Sequence, residues 1–257
     1  MTEPIIRFDG VCKSFGSLEV LKDLSLTVQP QERVALIGPS GSGKTTILRI
    51  LMTLENIQGG TVQVEGKQLW HEEKNGSLQP AGESHLRQMR RSIGMVFQFG
   101  ALFDSMTVGE NISLALQKLT KLNENEIQQR VCNSLDEVDM AGTENLMPAE
   151  LSGGMKKRVG IARAIAIKPA YLFYDEPTTG LDPVMTDSIN RLIRKFQDTG
   201  EVTSVIITHE MRTVYDVADR VLLLHEGRIQ YDGSPDTINN VDDPVVQQFI
   251  TGNSTLV

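Results

Sequence analysis

The sequence predicts an α/β fold with a helical lobe set into it, on three observations. Continuous apolar runs such as "RVALIG" (33–38) and "YLFYDE" (171–176) read as strands buried on both faces of a sheet. Helices between successive strands imply parallel crossovers. From Met106 to Ile167 the pattern turns helical, with turn-forming residues between the segments, so a block of helices interrupts the strands.

The elements follow in chain order. "IIRFDG" and "LEVLKDLSLTV" are β-branched and partly alternating, and "TVQVEG" adds a third such strand. "RVALIG" feeds an amphipathic helix, "KTTILRILMTL". The stretch "HEEKNGSLQPAGESH" (71–85) is polar and contains Gly and Pro, which predicts an exposed loop or short mobile insertion. "TVGENISLALQKL", "ENEIQQRVCNSLDEV" and "MKKRVGIARAIA" supply the helical lobe. Strands resume at "YLFYDE", "TSVIITHE" (203–210) and "RVLLLHEGRIQYDG" (220–233), the last a hairpin turning at Glu226-Gly227.

At 257 residues the chain is long enough to bury a substantial core as one domain with an insertion. A hydrophobic share of 40% and a charged share of 23%, without repeats or low-complexity tracts, place it among ordinary globular proteins. The net charge of -8 argues against a duplex-binding surface, because such surfaces meet phosphates with lysine and arginine, so no nucleic-acid partner is expected. Cys12 and Cys132 give neither a disulfide framework nor metal-ligand spacing. The opening "MTEPIIRFDG" has no signal-like pattern, and no apolar run approaches the roughly 20 residues that cross a bilayer, so a membrane role is expected to be peripheral.

The chemistry concentrates in "GPSGSGKTT", residues 38–46, which fits G-x-x-x-x-G-K-[ST] between an apolar strand and a helix. Gly38, Gly41 and Gly43, with Pro39, Ser40 and Ser42 between them, let backbone N–H groups face a phosphate. The following helix start adds about half a positive charge and Lys44 a full one. Thr45 can offer its hydroxyl to Mg²⁺, and Thr46 continues the cradle.

"AYLFYDEP" delivers Asp175 and Glu176 to the C-terminal end of a buried strand, where open parallel sheets place ligands. Taken alone, an acidic pair there is more often a helix cap; with Lys44 in the same chain, Asp175 would hold Mg²⁺ through water and Glu176 would orient or deprotonate an attacking water. A second bare helix start, Ser152 with Gly153 and Gly154, has no lysine of its own and reads as half a site, completed by an anion held elsewhere.

In this combination and order the motifs resemble the nucleotide-binding subunit of ATP-binding-cassette (ABC) transporters, from residue 5 to about 235. The resemblance implies a P-loop NTPase (RecA-like) core, about 1–98 and 168–235, with an antiparallel β subdomain, an inserted α-helical subdomain at about 99–167 and a C-terminal tail at about 236–257. It implies ATP and Mg²⁺ as ligands, a homodimer in the ATP-bound state, and an integral-membrane permease partner at the cytoplasmic face of the inner membrane. Ser152, Gly153 and Gly154 would bind the γ-phosphate of the ATP on the partner subunit.

The same resemblance assigns Gln98 in "GMVFQFG" to Mg²⁺ and water, Phe15 to stacking on adenine, Asp182 in "TTGLDP" to communication between sites and His209 to the γ-phosphate. Met155 stands where many members have glutamine. With "FQFGALFDSMTVGENISL" and the terminal "DDPVVQQFITG", it resembles the ATPase of Mla-type lipid transporters, which implies phospholipid cargo and an MCE-domain lipid-binding partner. The apolar cluster Ala101, Leu102, Phe103 and Met106 reads equally as a groove for a partner's helix or as ordinary packing. The rival readings are the ATPase of a small-solute importer, such as one for amino acids, a soluble ABC ATPase acting on DNA or ribosomes, and a non-catalytic nucleotide-gated scaffold.

Overall fold

The computed structural model describes residues 3–74, 77–197 and 202–252. The chain divides into two compact units, Met1–Arg90 with Val205–Val257, and Arg91–Ser204.

The first unit opens with β1 (Ile6–Phe15) and β2 (Leu18–Val28), an antiparallel pair. Their alternation turns Ile6, Phe8, Val11, Leu24 and Leu26 inward, as the sequence pattern requires of a sheet with one wet face. Then come β3 (Arg33–Ile37), α1 (Lys44–Leu51), β4 (Gly59–Val64) and β5 (Lys67–Gln68). The antiparallel sheet runs β2-β1-β4-β5.

The described residues of the polar stretch expected to be a loop instead carry regular structure: β6 (His71–Lys74) pairs antiparallel with β7 (Ser77–Pro80), and α2 spans Glu83–Arg91. Ladder and helix hydrogen bonds use backbone groups that every composition supplies, so a missing apolar pattern does not forbid them. His85 fastens the insertion, its ring Nε2 3.1 Å from the Gln68 carbonyl and Nδ1 3.3 Å from a Glu72 carboxylate oxygen.

The second unit begins with β8 (Ile93–Val96), followed by α3 (Val108–Leu119), α4 (Glu124–Asp136) and α5 (Gly153–Ala166). These three are the helices expected between Met106 and Ile167. α3 and α4 both start with reciprocal caps: Thr107 Oγ1 accepts from the Glu110 N–H while Glu110 Oε2 accepts from the Thr107 N–H, and Asn123 and Glu126 repeat the exchange. β9 (Tyr171–Asp175) pairs in parallel with β8, and its first four residues are buried, as a strand covered on both faces must be. α6 (Pro183–Gln197) closes the unit and buries Ile189, Leu192, Ile193 and Phe196 at helical spacing.

The chain returns through β10 (Thr203–Ile207), α7 (Met211–Val217), β11 (Arg220–His225), β12 (Arg228–Gly233) and α8 (Pro244–Thr251). In the first unit the strand order is β12-β11-β3-β10, with β11 and β3 parallel. The expected hairpin is present, and Glu226 and Gly227 both have positive φ, 46° and 80°, as a tight turn between twisted strands demands. α8, capped by Asp243, packs Val246 into the cluster of Ala35, Ile37, Val214, Val221, Leu223 and Ile238. A valine buried in this way contributes about 1.5–3 kcal/mol, enough to hold an eight-residue helix in place. Among the described residues no helix is long and apolar enough to cross a membrane.

Candidate functional site

In the first unit the phosphate loop connects β3 to α1, as its sequence predicts. Its path depends on two glycines. A Cβ on Gly38, whose φ is 142°, would lie 2.1 Å from the Leu224 carbonyl oxygen, and one on Gly43, φ 110°, would lie 2.8 Å from a Leu21 methyl. Packing of the loop against β11 and β2 therefore excludes side chains at both positions. Lys44 Nζ donates to the carbonyls of Gly38 at 2.7 Å and Pro39 at 2.9 Å, which arches the ammonium over the loop. Gly43 caps α1 without a side chain and no acidic residue occupies the first turn, so the positive end of the helix dipole faces the loop undiminished.

Phe15 belongs to the same place. A cleft of about 260 Å³ is lined by Phe15, Val20, Gly41, Gly43, Lys44 and Thr45. The Phe15 ring is 43% exposed, enough to offer one face to a flat ligand, while the ammonium of Lys13 stands 4.8 Å from its centroid. Lys13, 4% exposed, is held by Glu55 at 3.1 Å and by Asn56 Oδ1 at 3.2 Å. His209 lies two residues beyond β10 and is exposed. The Thr208 N–H reaches the Leu36 carbonyl at 3.4 Å, so His209 and Gly38 leave the same edge of neighbouring strands.

The second unit carries the other expected residues. Asp175 ends β9 behind Tyr174, whose phenol burial pushes above its ordinary pKa range. Glu176 follows with φ 52°, in the left-handed region, and its Oε2 accepts from Thr179 Oγ1 at 2.9 Å. Gln98 occupies a turn closed by the Gly100 N–H and the Phe97 carbonyl at 2.9 Å, two residues past β8. Ser152 caps α5 with its Oγ accepting from the Met155 N–H at 3.3 Å, which leaves the hydroxyl proton to be aimed outward. Gly153, beside it, has nothing within 4 Å of where a Cβ would lie. Asp182 caps α6 through the N–H groups of Val184 and Met185, at 2.9 and 3.0 Å.

The apolar cluster is split: Ala101 and Phe103 are exposed, whereas Leu102 and Met106 are partly buried. Phe103 is half exposed, and with Phe97, Ala101, Leu114, Ala115 and Leu119 it lines a groove of about 540 Å³. Asn111, itself buried, fixes one wall by accepting from the Phe103 N–H at 2.8 Å and donating to the carbonyls of Phe103, Met106 and Thr107. Arg163 holds the floor through the Gly100 and Ala101 carbonyls at 2.7 and 2.8 Å. Sequence reasoning passed over Lys13, Asn111 and Arg163, because a single polar residue inside an apolar pattern carries no mark of what it will bind.

The two units thus carry different halves of the chemistry. The first has a cradle for phosphates beside a ring suited to a base; the second has carboxylates at a strand end and an open helix start. Thr45, Gln98 and Asp175 all offer oxygen, the donor type that suits Mg²⁺.

The ABC transporter family profile matches residues 21–179 of the chain. A probable amino-acid ABC transporter ATP-binding protein of Sinorhizobium fredii is 44% identical over 93% of this chain and 93% of its own. The chloroplastic protein TRIGALACTOSYLDIACYLGLYCEROL 3 of Arabidopsis thaliana is 39% identical over 98% of this chain and 75% of its own. Among solved structures, the dimeric post-hydrolysis state of the ATP-binding cassette MJ0796 with ADP and Pi superposes with a TM-score of 0.78 at 28% identity, covering 90% of this chain and 98% of that one. The chain belongs to the ABC transporter family, has the α/β fold of its ATPase cassettes, and is an ATP-binding, ATP-hydrolysing subunit of such a transporter.

Proposed function

We propose that two copies of this chain close on two ATP molecules, each held by the phosphate loop of one copy and the Ser152 helix start of the other, and that closure drives a membrane permease. The observation that carries the reading is the division of labour: a lysine-bearing cradle at Gly38–Thr46 and a capped but lysine-free helix start at Ser152–Gly154. Phe15 stacks on adenine, Lys44 and the N–H groups of the loop neutralise the β- and γ-phosphates, and His209 contacts the γ-phosphate. Thr45, Asp175 and Gln98 would hold Mg²⁺, which screens the phosphate charge when bound. Glu176 takes the proton of the attacking water. Asp182 relays between sites, and the groove beside Gln98 receives the permease at the cytoplasmic face of the membrane.

For the cargo, the Sinorhizobium fredii relative supports import of a small solute of the amino-acid class as the first reading, since it is more than two-fifths identical over nearly all of both chains. A second reading, lipid cargo, is supported by Met155, the segment after Gln98 and the Arabidopsis relative named for a galactolipid, and would bring an MCE-domain partner on the sequence resemblance alone. The test is Glu176→Gln in the purified chain with ATP and Mg²⁺. The expected variant binds ATP, hydrolyses it at least about 100-fold more slowly, and elutes as a dimer. A monomer under these conditions, alone and with its co-purified membrane component, removes the reading. Mass spectrometry of the native complex then decides between amino acid and lipid.

A further inference from the structure

Lys157 is a buried cation, 5% exposed, five residues into α5 from Ser152. A lysine is rarely placed there unless its ammonium is well partnered, because taking the charge out of water is costly. Its Nζ donates to the Pro177 carbonyl at 2.8 Å and to the Thr179 carbonyl at 2.7 Å. Those carbonyls straddle the fully buried Thr178 and belong to the turn that leaves Glu176.

Glu176 needs such support. Its backbone sits at φ 52°, a left-handed conformation that strains a side-chain-bearing residue and persists only where the surroundings over-determine it. Its carboxylate is aimed by Thr179 Oγ1 at 2.9 Å, and Thr179 is the residue whose carbonyl Lys157 holds. The series from Lys157 through the Thr179 backbone and hydroxyl to Glu176 Oε2 is continuous, and each link is at hydrogen-bond distance.

We infer that Lys157 is a positioning residue for Glu176: by clamping the carbonyls of Pro177 and Thr179 it holds the glutamate in its strained backbone and fixes where its carboxylate points. The inference rests on Glu176 being the base of the nucleotide-bound dimer. Because Lys157 stands on the helix that starts at Ser152, the element that meets one ATP also sets the base for the other.

The experiment compares Lys157→Met, which keeps length and removes the donors, with Lys157→Gln, which keeps a donor, in the full chain. Lys157→Met is expected to lower kcat about 10–100-fold with KM for ATP within about twofold, the signature of a misaimed group rather than a lost binding contact. Lys157→Gln is expected to recover part of that loss. In a Glu176→Gln background, Lys157→Met is expected to leave ATP-driven dimerisation intact.

Wild-type kcat in Lys157→Met overturns the inference. So does loss of dimerisation in the double variant, which would make Lys157 a support of the whole helix. If Lys157→Met does not fold, Lys157→Gln carries the test, and a fall in its KM-defined affinity with unchanged kcat is the overturning result. Wild-type hydrolysis by Glu176→Gln alone would instead remove the base assignment, an outcome separable from the others.

Discussion

Gly160 and Gly100 meet backbone to backbone: a Cβ on Gly160 would lie 3.2 Å from the Gly100 Cα and 3.4 Å from its carbonyl oxygen. Helix α5 is thereby pressed onto the turn that carries Gln98, and Arg163 on the same helix face ties the contact with two hydrogen bonds to Gly100 and Ala101. Glycine is a poor helix residue, so its place at 160 reflects this approach. Gly160→Val is expected to lose about 1–3 kcal/mol by overpacking, read as a lower midpoint in urea with unchanged slope. An unchanged midpoint would mean that the helix and the turn slide apart freely.

Gly38 and Gly154 should respond differently to the same added methyl. At Gly38 the obstacle is the backbone oxygen of Leu224 at 2.1 Å, which cannot move without breaking β11. At Gly154 it is the terminal methyl of Met185 at 2.2 Å, the free end of a flexible chain. Gly38→Ala is expected to abolish ATP binding or folding. Gly154→Ala is expected to keep the melting temperature within about 2 °C, because the Met185 side chain can turn its free end aside. Equal losses of stability in both variants would contradict the contrast.

Phe15 should act on affinity without selecting the base. Stacking is worth about 1–3 kcal/mol per base, so Phe15→Ala is expected to weaken ATP and GTP alike by roughly 10-fold, and Phe15→Trp to keep both. Equilibrium binding of fluorescent analogues measures this. A loss confined to one base would indicate hydrogen-bond recognition elsewhere.

Arg33 and Asp219 supply an acid-sensitive tie in the first unit. Burial alone would raise the Asp219 pKa, but three hydrogen bonds from Arg33, at 2.6, 2.9 and 2.9 Å, and the guanidinium charge bring it below the usual carboxylate range. A pKa depressed on folding stabilises the protein above the unfolded value, about 3.9, and the stabilisation disappears as pH falls through the folded value. Asp219→Asn is therefore expected to be less stable than the parent at neutral pH and to converge with it as pH drops below about 4. Parallel stability curves down to acid would show that Asp219 titrates as it does in the unfolded chain.

Most of the architecture was legible because it rests on patterns that the sequence must display. Strands buried on both faces need runs such as "RVALI" and "YLFY", and the helices of the second unit repeat apolar residues at their own period. The segment around His71–His85 was not legible. Its hairpin and helix are held by backbone pairing and by one histidine, and α2 buries none of its residues, so composition carried no trace of order. Of the candidate site, the sequence marks out only residues inside short motifs, since Lys44, Glu176 and Ser152 stand at fixed spacing from glycine or from a strand end. Lys157 is not among them: in "KK" at 156–157 nothing distinguishes the lysine that turns inward from its partly exposed neighbour. Lys13 was hidden likewise by strand alternation in which a charged residue happened to fall on the inner face.

The fit of Gly38 beneath Leu224, with Gly43 against Leu21, means that the fold itself rather than the ligand gives the loop its shape. Such a cradle needs no backbone rearrangement to receive a triphosphate, only a turn of the Lys44 ammonium away from the Gly38 and Pro39 carbonyls. Association in a single subunit should then appear as one phase whose rate climbs linearly with nucleotide concentration and never levels off, all slower events being reserved for the meeting of two subunits.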